Sequence, residues 1–265
     1  MFKFCSLYSG SSGNSLLLET PDTKILIDAG ESAKKTVDAL SSLDIDVNDI
    51  DAILVTHEHS DHVKGLGTIS KKYDIPVYAN SKTWDAMPEQ ENKIIDKNKK
   101  KFQMCDKFEI NDLKIIPFEI PHDAANPCGF NIFYDNQKIS IATDIGHMTS
   151  KIIHGLEDSS FILLEANYDP NILKCSKYPY PLKQRIAGPN GHLANSDAGK
   201  TISYLINSGL KNVMLGHLSK ENNFPELAYK TVVDELIESK FDENTINISI
   251  ANRFAPSPVI DLKGI

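Results

Sequence analysis

Cysteine is sparse in this chain, and the four present, Cys5, Cys105, Cys128 and Cys175, are scattered with no CxxC pair. That excludes a thiol redox motif or a zinc knuckle and fits a reducing compartment. No stretch approaches the roughly 18 apolar residues needed to span a bilayer. The start, Met1-Phe2-Lys3-Phe4-Cys5, turns polar too soon for a secretory signal. A cytoplasmic protein with no membrane partner is therefore expected. Positive charge is short as well: 28 Lys and Arg against 36 Asp and Glu leave a net charge of −8. Coating nucleic acid through bulk charge is excluded, although a local basic groove is not. No linker, internal repeat or low-complexity segment divides the chain. Strand and helix patterns interleave throughout, so a single α/β domain spanning 1–265 is expected.

What the chain does have is histidine concentrated in one place. The stretch Thr56-His57-Glu58-His59-Ser60-Asp61-His62 follows the apolar run Ala52-Ile53-Leu54-Val55 and holds three imidazoles and two carboxylates in seven residues. Residues at i and i+2 leave a strand end on one side, so His57 and His59 can converge on one cation while Asp61 and His62 face a second. Imidazole and carboxylate suit Zn, Mn or Fe ions, and the lack of cysteine here argues against a closed structural zinc site. The alternative is a polar strand-to-helix loop that happens to be rich in histidine.

Other stretches carry weaker signals. The loop Ser9-Gly10-Ser11-Ser12-Gly13-Asn14-Ser15 joins two predicted strands. Its backbone N–H groups and side chains suit phosphate, with Ser11, Ser12 and Asn14 as candidates, and an ordinary turn is the alternative. Lys97 to Lys101 reads as a solvated loop, and Trp84 as a core residue on a helix. The segment from Asn171 to Asn190 holds Lys174, Lys177, Tyr178, Tyr180, Lys183 and Arg185 with no acidic residue. Bases stack on aromatic rings and phosphates pair with cations, so Tyr180, Lys183 and Arg185 are candidate nucleic-acid contacts. A plain surface loop is the alternative.

The pattern HxHxDH at His57 to His62 resembles the metallo-β-lactamase fold superfamily. That resemblance implies a four-layer αββα sandwich with a pair of divalent metal ions at the sheet edges. It places His122 of Pro121-His122-Asp123 with His57 and His59 on one ion, and His217 of Leu215-Gly216-His217 with Asp61 and His62 on the other. Asp144 then bridges the ions, Asp28 braces the metal loop, and His147 and His154 have no matching role. Two ions about 3.5 to 4 Å apart acidify a shared water, from which Asp61 can also accept a hydrogen bond.

Leu164-Glu165-Ala166-Asn167 and Gly191-His192-Leu193 are similar to motifs of the phosphodiesterase branch that includes ribonuclease Z. The likeness implies that His192 protonates the leaving oxygen and Glu165 orients it. The branch has His-Glu-Ala-Thr where this chain has Leu-Glu-Ala-Asn, a departure within the relay. Across nearly the whole chain, SGSSGNS, THEHSDH, PHDAANPCGF, ATDIGHM, LLEANYD, GHLANSDAG and LGHLSKENN resemble the bacterial YycJ (WalJ) family. That resemblance implies a manganese- or zinc-dependent 5′-to-3′ exonuclease whose partner is DNA. The alternatives are hydrolysis of RNA or a small cyclic phosphodiester, a lactone or thioester hydrolase, and a non-catalytic binding protein stabilised by metal. The basic segment from Asn171 to Asn190 favours a polymer.

Overall fold

A computed structural model describes residues 2–264. Six strands come first: β1 (Lys3–Tyr8), β2 (Ser15–Glu19), β3 (Lys24–Ile27), β4 (Ala52–Leu54), β5 (Val77–Asn80) and β6 (Lys99–Phe102). Seven follow: β7 (Phe108–Ile110), β8 (Leu113–Glu119), β9 (Cys128–Tyr134), β10 (Gln137–Ala142), β11 (Phe161–Glu165), β12 (Asn212–Gly216) and β13 (Asn247–Ile250). Finally β14 (Ile260–Asp261) returns to pair with β1. Two sheets result, ordered β14-β1-β2-β3-β4-β5-β6 and β7-β8-β9-β10-β11-β12-β13.

Both sheets share one pairing pattern that the sequence does not reveal as a repeat. In the first, β14 to β3 pair antiparallel and β3 to β6 parallel. In the second, β7 to β10 pair antiparallel and β10 to β13 parallel. The change from antiparallel to parallel, at β3 in one sheet and β10 in the other, leaves carboxyl strand ends from both sheets along one seam. Open α/β sheets bind ligands beyond the carboxyl ends of their strands.

Alternation along the strands divides the core into layers, because successive side chains point to opposite faces. Phe2, just before β1, and Phe4 on it face inward in one cluster with Phe130 and Phe161 of the second sheet, while Cys5 and Leu7 face outward. The outer face of the first sheet is covered by helices carrying Leu40, Leu66, Ile69 and Trp84. Ile202, Leu205, Val232 and Leu236 cover the second sheet in the same way. The architecture is the αββα sandwich.

One local expectation is corrected, and two other segments take definite form. Lys99–Phe102 is an edge strand rather than a loop, and its lysines make that edge a poor template for pairing with another chain. The chain around His62 is helical in two pieces, Ser60–Val63 and Leu66–Tyr73, because the Gly65 N–H turns aside to Ala29 O at 2.8 Å. The segment from Asn171 to Asn190 is not an irregular loop: it contains the helices Pro170–Cys175 and Tyr180–Ile186, the first capped by Asp169.

Gly30 locks the glycine and serine loop against the metal loop. Its N–H donates to Asn14 O, and the Asn14 N–H donates to Asp61 O, each at 2.8 Å. A Cβ on Gly30 would collide with the Asp61 carbonyl. Gly30→Ala is expected to cost about 3 kcal/mol through overpacking, read as a lower urea midpoint. An unchanged midpoint would contradict this packing.

Candidate metal centre

Six strands deliver the candidate residues from their carboxyl ends. Asp28 follows β3, the run from His57 to His62 follows β4, and His122 follows β8. Asp144 lies beyond β10, Glu165 is the last residue of β11, and His217 follows β12. Asp28, Asp144 and His217 take positive φ angles of 63°, 61° and 55°. Asp and His enter this left-handed region more readily than most residues, and here it swings each side chain off its strand into the seam.

The structure brings together every residue expected to ligate metal. One ligand atom from each of His57, His59 and His122 falls within a 4.8 Å cluster, as does one from each of Asp61, His62 and His217. Asp144 joins His57 and His62 in a third such group, and Glu165, His192 and His217 in a fourth. His147 and His154 lie apart, bonded to the carbonyls of Pro189 and Ser150.

Hydrogen bonds set which ring nitrogen faces the cluster. His62 donates from Nδ1 to Asp28 Oδ2 at 2.7 Å, His122 to Gly191 O at 2.9 Å, and His217 to Glu165 Oε1 at 2.9 Å. The Thr56 hydroxyl donates to Asp28 Oδ2 and accepts from His57 Nδ1 at 3.0 Å. Each of these bonds commits Nδ1 and leaves Nε2 turned to the centre, the orientation metal-binding histidines require.

The donor set fits divalent cations. His57 Nε2, His217 Nε2 and Asp144 Oδ2 are buried with no hydrogen-bond partner. His59 Nδ1 and His122 Nε2 face each other at 3.3 Å. Buried polar atoms left unpaired are costly, and several converging on one space mark a cation's place. No cysteine belongs to any of these groups among the described residues. Burial also lifts the Cys128 thiol well above its ordinary pKa, so it stays protonated.

Charge in the seam is mostly negative. Burial and neighbouring imidazoles hold His57 well below the usual histidine range. Burial works in the same direction on His62 and His217, but is overcome. Asp144, Asp28 and Asp61 raise His62 to about 9, and Asp144, Asp61 and Glu165 raise His217 well above its ordinary value. These two rings hold protons wherever nothing else offsets the carboxylates.

Glu165 does more than sequence reasoning assigned to it. Fully buried, it accepts from His192 Nδ1 at 2.8 Å and His217 Nδ1 at 2.9 Å through Oε1. Its Oε2 accepts from the backbone N–H groups of Ile145 at 2.6 Å and Leu193 at 3.2 Å. One carboxylate therefore fixes both His192 and a candidate ligand. Asn167, at the departure from the ribonuclease Z pattern, donates to His217 O at 2.7 Å and braces the left-handed turn there.

The substrate candidates fare unevenly. Ser11 and Ser12 sit exposed at the tip of their turn. Asn14 is buried, and its amide reaches Gly10 O at 3.1 Å and His62 Nε2 at 3.1 Å, bracing the loop from within. Lys183 donates to Lys174 O and Ser176 O and so ties the two helices together. Arg185 pairs with Asp123, whose other oxygen lies 3.4 Å from His122 Nε2. Tyr180 remains 71% exposed. Thr56, Asn167 and Asp123 were not singled out from the sequence, since only their neighbours in space give them roles.

An αββα sandwich with imidazoles and carboxylates gathered at its strand ends defines the metallo-β-lactamase class of fold. The chain matches the Beta-lactamase superfamily domain over residues 23–217. It is 40% identical to exodeoxyribonuclease WalJ of Streptococcus pneumoniae over 90% of this chain and 89% of that protein. It is 38% identical to exodeoxyribonuclease YycJ of Bacillus anthracis, covering 90% of each. Zn(2+)-bound PqqB from Methylobacterium extorquens superimposes with a TM-score of 0.72 at 13% identity, over 97% of this chain and 100% of that one, a likeness of fold alone. The chain belongs to the metallo-β-lactamase superfamily and, within it, to the WalJ/YycJ family.

Asp28→Asn is expected to lower metal affinity about 10- to 100-fold by loosening His62 and Thr56, measured by competition with a chelator. Metal binding is also expected to displace protons from His62 and His217, so affinity rises with pH across neutrality. Calorimetry in buffers of different ionisation heat counts the protons. A count of zero would contradict the charge balance described above.

Proposed function

We propose that this protein is a dinuclear metal-dependent phosphodiesterase that degrades DNA from the 5′ end. The observation that carries the reading is the pair His192 and Glu165, held at 2.8 Å beside the metal-capable cluster. A metal-bound binding protein has no use for such a pair, and an ester hydrolase needs no proton donor for a nucleotide oxygen. The names of the similar WalJ and YycJ proteins support the choice of DNA.

His57, His59 and His122 would hold one ion, Asp61, His62 and His217 the other, with Asp144 between them. When bound, two such ions lower the pKa of a shared water and neutralise charge on phosphoryl oxygens. Manganese or zinc suits the donors, and iron is compatible. Asp61, which protonated His62 and His217 hold ionised against its burial before any ion is bound, can accept a hydrogen bond from the attacking water.

His192 supplies the proton. Burial lowers its pKa, but Glu165 more than compensates, so the ring is protonated more readily than a free histidine. Nδ1–H is committed to Glu165, which leaves Nε2–H for the departing oxygen. The His192 side chain is 22% exposed, against 1% for His62 and His217, so it is open to substrate where those ligands are not. After transfer the ring is neutral and still anchored through Nδ1. Asp28 holds His62 and Thr56 in place throughout.

His192→Ala is expected to retain metal and slow DNA cleavage on the order of 10²-fold or more. The same variant should lose far less on a p-nitrophenyl ester of thymidine 5′-phosphate, whose leaving group needs no proton. Equal losses on both substrates would remove His192 from the proton transfer. Purified protein with manganese or zinc, offered 5′- and 3′-labelled DNA, RNA and a carboxylic ester, tests the substrate. Cleavage of RNA or the ester alone would overturn the reading.

A further inference from the structure

A second surface beside the metal-capable cluster has no role in the account so far. The Ser9–Gly10 turn, the loop from Leu218 to Pro225 and the segment from Ile250 to Arg253 enclose a groove of about 310 Å³. Its floor adjoins the centre directly: Ser9 Oγ accepts the His217 N–H at 2.8 Å, and Leu218 is the next residue. Arg253 is partly buried in the groove, donating to Leu218 O and packing against Gly10. Gly10, at φ 148°, leaves room that a side chain would fill, since a Cβ there would collide with the guanidinium.

Both cations here lack an acidic partner. No carboxylate lies within 4.0 Å of Arg253 or Lys220 among the described residues, although acids outnumber bases in the chain. Two phenylalanines are displayed alongside. Phe224 is 48% exposed and Phe254 69% exposed, and the Arg253 guanidinium lies 5.8 Å from the Phe254 ring centroid. Cations without acidic partners beside exposed rings are the equipment for holding an unpaired strand, because phosphates pair with the charges and base faces stack on the rings. A duplex keeps its base faces inside and offers only the phosphates.

We infer that this groove holds a single-stranded stretch of the DNA substrate, with Arg253 and Lys220 on backbone phosphates and Phe254 and Phe224 against bases. The inference rests on the phosphodiesterase reading above and specifies where the strand lies and in what form. It places the strand behind the backbone of His217, one residue from Leu218 in the groove wall.

The test uses the full chain with manganese and a phosphorothioate-linked 12-mer of oligodeoxythymidine, which resists cleavage. Phe254→Trp adds an indole on the surface, distinguishable from Trp84, which is 1% exposed. Its emission should be quenched saturably by the 12-mer. Phe254→Ala is expected to weaken binding about 10-fold, and Lys220→Ala to reduce the slope of log affinity against log salt by about 0.7. Both are surface positions, so thermal melts should match the parent. A blunt duplex of equal length should compete poorly. Absence of quenching, or affinity and slope equal to the parent in both alanine variants while the parent still cuts DNA, overturns the groove alone. Equal competition by the duplex overturns the single-strand assignment. A parent that does not cut DNA overturns the phosphodiesterase reading and the groove with it.

Discussion

Burying carboxylates together is the constraint on which the rest of this molecule depends. Asp28, Asp144 and Glu165 are each at most 3% exposed, and Asp61 joins them in the same seam. Ionised groups removed from water demand partners of opposite charge and a full set of hydrogen bonds. Asp28 and Glu165 meet that demand within the protein, each accepting from histidine and from backbone N–H groups. Asp144 does not, since one of its oxygens has no donor. The seam divides accordingly into anchors, which the fold satisfies, and a centre, which calls for cations.

The two anchors come from different sheets. Asp28 follows β3 and fixes Thr56 and His62, which belong to the loop after β4. Glu165 ends β11 and fixes His192 and His217, together with the turn after Asp144. The matching pairing order of the sheets gives each half one buried carboxylate that steadies its own histidines. Asn14, with its amide near His62 and Asp61, ties the first half to the glycine and serine loop. Rigid placement of this kind is what allows ring nitrogens with lone pairs to be held close together.

An acidic protein proposed to act on DNA must separate local charge from overall charge. The helices Pro170–Cys175 and Tyr180–Ile186 carry no acidic residue, yet Lys183 and Arg185 are already engaged, one with carbonyls and one with Asp123. They shape the wall of the site as much as they charge it. Among the described residues, Lys220 has neither kind of partner, and Arg253 gives one N–H to Leu218 O but meets no carboxylate. Composition pointed to the first region and overlooked the second, because a count of cations cannot tell which are already paired.

The sequence alone determined whatever depends on near neighbours. Alternation set which face of each strand is apolar, the strand-end spacing of His57, His59, Asp61 and His62 announced a metal site, and the family likeness extended the ligand set to His122, Asp144 and His217. These are legible because chain stereochemistry fixes where residues i and i+2 point. Tertiary structure alone decided that Glu165 serves two histidines, that Asn14 faces inward, that Thr56 relays between Asp28 and His57, and that Arg253 lies under Gly10. Most of these contacts join residues dozens or hundreds of positions apart. They exist because particular strands pair side by side and the two sheets then pack face to face, and no local spacing rule encodes which strand ends will meet.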